Sequence, residues 1–252
     1  MGRKKLVVAA GVDGCRAGWV AAAADSLGAV TFTVYPDIGA LIAGVRDGGA
    51  DAVIAIDVPI GLPETPSFRP CDLMAREYLK NPNDRSRARF TSVFPPPDRE
   101  LAALPEFSDV QAVVAARKAL DAQQKGISRQ SHAIGAKIIE VDSYVRAHPE
   151  SHEWLFEVHP EVCFRAMPGG SKGLLRKKSS AGRAERNTLL RAGLAEQGLT
   201  FPDPLPRVAG AARDDVLDAL VGLWVAMRVR SGATRVFGGE LDACGVPMRM
   251  VT

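Results

Sequence analysis

The sequence predicts an α/β fold, a mixed sheet flanked by helices and carrying a helical insertion, on three observations. Leu6 to Val12, Trp19 to Ala24 and Val30 to Tyr35 are apolar or alternating runs joined by short turns, the pattern of three consecutive strands. A helical stretch then leads to a continuously apolar fourth strand, Val53 to Val58, an order that places it parallel to the first through a right-handed crossover. Near the other end, Asp214 to Val229 is apolar almost all round, which marks a buried helix.

The elements between these follow from local signals. Ile38 to Val45 has helical spacing, with Asp37 placed to cap its start and Gly48-Gly49 to end it. After Gly61-Leu-Pro the character changes, with Arg69, Arg76, Arg85, Arg87, Arg89 and Arg99 around Pro-rich turns such as Pro95-Pro-Pro97. Residues 62–153 therefore read as an insertion, and residues 1–61 and 154–252 as the core. Two helical segments fit inside the insertion, about Val110 to Gln124 and Ser128 to His148, the second with Ala133, Ile134, Ile138 and Val141 on one face. Leu155 to Val158 returns to strand character, and Pro160 suits the first position of a following helix. Gly169 to Gly182 is basic and reads as a flexible stretch, and Arg183 to Gln197 as a helix.

A chain of 252 residues with 46% hydrophobic content buries a full core. A net charge of +3 excludes a protein that coats polyanions by bulk charge, so any nucleic-acid contact comes from local patches. Cys15, Cys71, Cys163 and Cys244 lie far apart without zinc-site spacing, which predicts free thiols and a reducing cytoplasm. The basic start Met1-Gly-Arg-Lys-Lys and the apolar run after it imitate a signal peptide. Asp13 interrupts that run, the Asp-Gly before Cys15 is a poor lipoprotein site, and Leu6 stands where a myristoylation signal needs Ser or Thr. No apolar run reaches the length of about 18 residues that a membrane span requires, so no membrane partner is expected.

The chemistry lies in isolated acids. Asp13 and Asp57 each stand where an apolar strand meets a turn, at the carboxyl ends where open α/β sheets bind ligands. One such Asp is equally well explained as a turn cap; two on neighbouring parallel strands favour a shared site. Glu157 is the only charge in its short strand and must reach solvent or a partner, since burying it alone costs several kcal/mol. His159, beside Pro160, reads more readily as structural than as a ligand or base. In the last helix Asp214 and Asp218 are four apart and Asp215 and Asp218 three apart, so either pair shares a face. First-turn acids serve the helix N-terminus, which accounts for Asp214, whereas Asp218 on an otherwise apolar helix needs a partner. Clustered carboxylates without Cys or paired His favour Mg²⁺ or Mn²⁺ over zinc. The glycines around Cys15-Arg-Ala and in Gly169-Gly-Ser-Lys-Gly173 fit neither a dinucleotide fingerprint nor a Walker loop.

Taken together, Gly11-Val-Asp-Gly-Cys-Arg-Ala-Gly-Trp19, Ile56-Asp-Val-Pro-Ile-Gly-Leu-Pro63, Arg69-Pro-Cys-Asp72, Ser92-Val-Phe-Pro95, Phe156-Glu-Val-His-Pro-Glu161 and Asp214-Asp-Val-Leu-Asp-Ala219 resemble the domain-of-unknown-function family 429. The resemblance extends to Gln130, Lys137, Glu140 and Asp142. It implies a ribonuclease H-like fold and a nuclease. The Asp215-x-x-Asp218 pair is similar to the terminal helix of Holliday-junction resolvases, and Asp13 and Asp57 match those proteins' first- and fourth-strand acids. Sugar kinases and actin-like ATPases share the core, but this chain lacks their second domain and adenosine-binding glycines.

The expectation is a metal-dependent phosphodiester hydrolase acting on nucleic acid or a nucleotide. Asp13, Asp57 and Asp218 are its metal ligands, Asp215 and Glu157 complete or orient the site, and Arg16, Arg69, Arg76 and Lys137 hold phosphates. The rivals are a binding protein that keeps the fold without catalysis, and an actin-like phosphotransferase.

Overall fold

The computed structural model describes residues 6–47, 51–80, 90–170, 174–175 and 179–252. The chain forms two compact units, one of residues 1–57, 153–235 and 251–252, the other of residues 58–152 and 236–250. No helix among the described residues is long and apolar enough to cross a membrane.

The first unit is built on five strands in the order β3-β2-β1-β4-β5. Strands β1 (Val7–Cys15), β2 (Gly18–Asp25) and β3 (Val30–Tyr35) form an antiparallel meander, and β4 (Val53–Ile56) and β5 (Leu155–Glu157) add in parallel. β1 does not stop before Asp13, as its loss of apolar character implied. Its pairing with β2 carries on through Asp13 opposite Val20 to Cys15 opposite Gly18, because the tight turn there lets both edges keep their ladder. Helix α1 (Ile38–Arg46) starts at Asp37, whose carboxylate accepts from Ala40 N–H at 2.7 Å. The proposed stop at Gly48-Gly49 lies outside the described residues.

Helices α7 (Pro160–Ala166), α8 (Ser180–Ala195) and α9 (Arg213–Arg230) complete this unit, and α9 packs on β1, β2 and β4. Every residue of α9 from Val216 to Ala226 is buried, as an all-apolar helix requires. Alternation along the strands decides which face it covers. Ala9, Ala22 and Ala55 join its core cluster, whereas the intervening Ala10, Ile54 and Ile56 are buried outside it. Part of the basic 169–182 stretch, residues 171–173 and 176–178, lies outside the described residues.

The second unit holds α2 (Pro70–Leu79), α3 (Arg99–Ala103), α4 (Phe107–Leu120), α5 (Arg129–Ala133) and α6 (Gly135–Ala147), with β6 (Val236–Leu241) and most of β7 (Pro247–Val251). α2 packs on β6 and α3 on α6. The single helix expected over 128–148 is broken at Ile134. Gly135 there lies so close to α3 that a Cβ would stand 2.8 Å from the Ala102 carbonyl. The buried face of α6 is accordingly Ile138, Val141 and Val145, and Ala133 is exposed. Arg99 ties the unit together, with Nη2 at 2.7 Å from Asp142 and 2.6 Å from Asp242. Arg85, Arg87 and Arg89 lie outside the described residues.

Candidate metal centre

Asp13, Asp57 and Asp218 come together. Each places one carboxylate oxygen within 4.8 Å of the others', and the sites of origin are β1, the residue after β4, and the second turn of α9. The register explains the meeting. Val12 pairs with Ile56, and Asp57 continues the ladder by donating its N–H to the Val12 carbonyl at 2.9 Å, so Asp13 and Asp57 leave the sheet side by side. Both share the parity of Gly11 and Ala55, the α9 face.

Two glycines bring the helix down to these acids. A Cβ on Gly11 would run into the backbone of Ala219 and Leu223, and one on Gly222 would lie 3.1 Å from Gly11 Cα and from the Ala55 carbonyl. Asp218 is thereby carried onto the sheet edge and is 6% exposed, while Asp13 and Asp57 are half-buried.

Burial, followed by the charges of Asp57, Asp218 and Asp215, pushes the Asp13 carboxyl well above the usual carboxylate range; the Gly14 N–H pulls weakly the other way. Three carboxylates at this spacing repel one another when all are ionised. A divalent cation among them would offset the repulsion, and an all-oxygen donor set suits a hard ion such as Mg²⁺ or Mn²⁺. Behind the acids lies Cys163, wholly buried on α7. Its thiol is pushed up to about 12, first by burial and then in part by Asp57 and Asp218, so it stays neutral and offers no thiolate. Neither periodicity nor motif pointed to this cysteine, which stands four residues after His159 in a helix of about two turns.

The other residues named from the sequence are placed as follows. Asp215 acts at the helix start, its Oδ2 accepting from Ala212 N–H at 2.8 Å, and its charge reaches Asp13. Asp214 lies 3.9 Å from Arg183. Glu157 is buried and pairs in register with Ile56, so it stands on the opposite face of the sheet from Asp13 and Asp57. His159 caps α7, its carbonyl accepting from Val162 and Cys163.

Arg16 is exposed in the β1–β2 turn, three residues beyond Asp13. Arg69, in the second unit, is buried with its donors committed: Nη2 meets Asp72 at 2.7 Å, Nε meets Asp72 at 3.0 Å, and Nη1 meets the Ile60 and Gly61 carbonyls at 2.9 and 3.1 Å. Arg76 donates to Val93 O at 2.5 Å and stacks on Phe68, and Lys137 is half-buried on α6.

No curated protein and no solved structure matches this chain. A family model does, that of "Protein of unknown function (DUF429)", over residues 11–243, which takes in Asp13, Asp57 and Asp218 alike. The chain belongs to this family, DUF429.

Proposed function

We propose that the protein is a divalent-metal-dependent phosphodiester hydrolase on a ribonuclease H-like fold, with nucleic acid or a nucleotide as substrate. One observation carries the reading: carboxylates from residues 13, 57 and 218 converge within 4.8 Å at the carboxyl edge of two parallel strands. The strand order, an antiparallel meander continued by parallel β4 and β5, supports the fold assignment.

In this reading Asp13, Asp57 and Asp218 hold Mg²⁺ or Mn²⁺. When bound, such an ion would supply Lewis-acid polarisation of a phosphoryl oxygen and would lower the pKa of a water nucleophile. The chain's own contribution is position. β1 and β4 fix two ligands through one backbone ladder, α9 fixes the third through the Gly11–Gly222 contact, and Asp215 fixes the start of α9. The face that register gives Glu157 leaves it a supporting place rather than a ligand's.

The test joins binding to activity. Mg²⁺ or Mn²⁺ at a hundred times Kd raises stability by about 2.7 kcal/mol through mass action, and Asp57→Asn abolishes the rise without unfolding the protein. The same substitution and Asp218→Asn each remove metal-dependent cleavage of single-stranded, branched and hybrid substrates and of bis(p-nitrophenyl) phosphate. Protein that binds the metal and cleaves none of these is a binding protein. Protein with no metal-dependent shift has no metal site at all.

A further inference from the structure

We propose that Arg16, Arg207 and Arg213 form a ledge that holds backbone phosphates beside the acidic site, so that the substrate is an extended nucleic-acid strand and not a single nucleotide. The inference rests on the hydrolase reading and names the substrate class of the same site.

The ledge is assembled by a backbone contact within the first unit. Ala17 N–H, in the β1–β2 turn, donates to the Gly210 carbonyl at 3.3 Å, joining that turn to the segment that leads into α9. Gly210 has a positive φ of 87°, and a Cβ there would stand 2.6 Å from Ala17 Cβ, so the two segments touch where only glycine fits. Arg16 adjoins Ala17, Arg207 stands three residues before Gly210, and Arg213 three after it. Two of them adjoin an acid of the site or its support: Arg16 follows Asp13 by three residues, and Arg213 precedes Asp215 by two.

These three side chains are exposed, and among the described residues they make no side-chain hydrogen bond, ion pair or ring contact. Other arginines among the described residues are committed. Arg69 is spent on Asp72, Arg99 on Asp142 and Asp242, Arg117 on Asp98 and Glu100, Arg186 on Glu161, and Arg191 on Asp203. The contrast matters because the three lie along segments rich in carboxylates and still pair with none. A divalent cation among those carboxylates offsets most of their charge, which leaves the three guanidiniums able to attract phosphate. Guanidinium on phosphate is a strong, forked contact that fixes register without reading sequence. One phosphate sits at the site itself; three further cations on two segments serve the phosphates to either side.

Fluorescence anisotropy with a labelled 20-nucleotide single strand and the matching duplex tests this, with Asp57 intact and Ca²⁺ in place of Mg²⁺, so that an oxygen-ligated cation is present without cleavage. Arg16→Ala, Arg207→Ala and Arg213→Ala each weaken binding about tenfold. Each also lowers the slope of log K against log salt by about 0.7 for the single strand or 0.9 for the duplex. Melting temperature is unchanged, and Lys118→Ala, an exposed lysine on α4, has no effect on binding. Nucleoside monophosphate at the same concentration does not compete. Binding that ignores all three substitutions, competition by the monophosphate, or no oligonucleotide binding overturns the ledge. If the wild-type protein meanwhile hydrolyses bis(p-nitrophenyl) phosphate, the hydrolase reading stands without it; arginine-dependent binding with no hydrolysis of any substrate leaves the ledge and removes the hydrolase.

Discussion

Gly11 of β1 and Gly222 of α9 lie backbone against backbone, a Cβ on Gly222 falling 3.1 Å from Gly11 Cα. A methyl group at Gly11 has only the backbone of α9 to displace, whereas one at Gly222 needs a few tenths of an ångström. Gly11→Ala is expected to cost about 3 kcal/mol and Gly222→Ala about 1 kcal/mol, measured by urea denaturation. Both lift Asp218 from Asp13 and Asp57. The folded fraction of Gly11→Ala should thus lose the metal-dependent melting shift, a result that cavity or propensity effects alone would not produce.

The metal-free protein should respond to pH through Asp13. Its carboxyl titrates above the unfolded value near 4, so ionising it in the folded state is unfavourable. Its contribution to stability is intact below that unfolded value and is lost as pH rises through the raised folded value. Asp13→Asn removes this downward slope in melting temperature, recorded in chelator between pH 4.5 and 8. With Mg²⁺ present the wild-type slope reverses, because metal displaces the proton.

Asp242 in the second unit has the opposite sign. Burial alone would raise its carboxyl, but the Arg99 guanidinium and the N–H groups of Leu62, Val246 and Cys244 outweigh burial and hold it below the ordinary carboxylate range. Its contribution is present above the unfolded value and lost as pH falls through the lowered folded one. Arg99→Leu leaves Asp142 and Asp242 without their shared cation and is expected to cost about 2 kcal/mol, discounted for the partial exposure of Arg99. Thermal melts at pH 7 and pH 3.5 check both statements: the deficit at pH 7 should shrink at pH 3.5.

Asp215→Ala removes the acceptor for Ala212 N–H and should lower stability by about 1 kcal/mol. Asp215→Asn keeps an acceptor oxygen and recovers most of that loss in the same denaturant titration. If charge beside Asp13 also matters, both variants weaken the metal's melting shift, and Asn does not rescue it.

The sheet and its acids were legible because they follow from one-dimensional patterns. An apolar strand with a single terminal charge, as at Asp57, needs no tertiary information to be noticed, and the unbroken apolar character of α9 announces burial while isolating Asp218. What escaped depends on contacts between distant residues. The face taken by Glu157 follows from the pairing of β4 with β5, which composition does not specify. The break at Ile134 follows from the packing of Gly135 on Ala102. Arg69 reads as a free cation until Asp72 and the Ile60 and Gly61 carbonyls surround it. β6 and β7 were missed altogether. Their only signals are the short alternation of Met248-Arg-Met-Val251 and the turn at Gly245, in a region with little apolar bulk.

The three acids also impose an order in time. Asp13 and Asp57 are synthesised before Asp218, which stands 161 residues beyond Asp57 on α9, and the Gly11–Gly222 contact cannot form before that helix does. A ribosome-bound chain that has not yet released α9 carries two of the carboxylates and an uncovered sheet. Such a chain has no three-carboxylate centre. Closure of this core and convergence of the three carboxylates are one event, the docking of α9, so a chain that lacks α9, or from which α9 has peeled away, keeps its acids apart by its own topology.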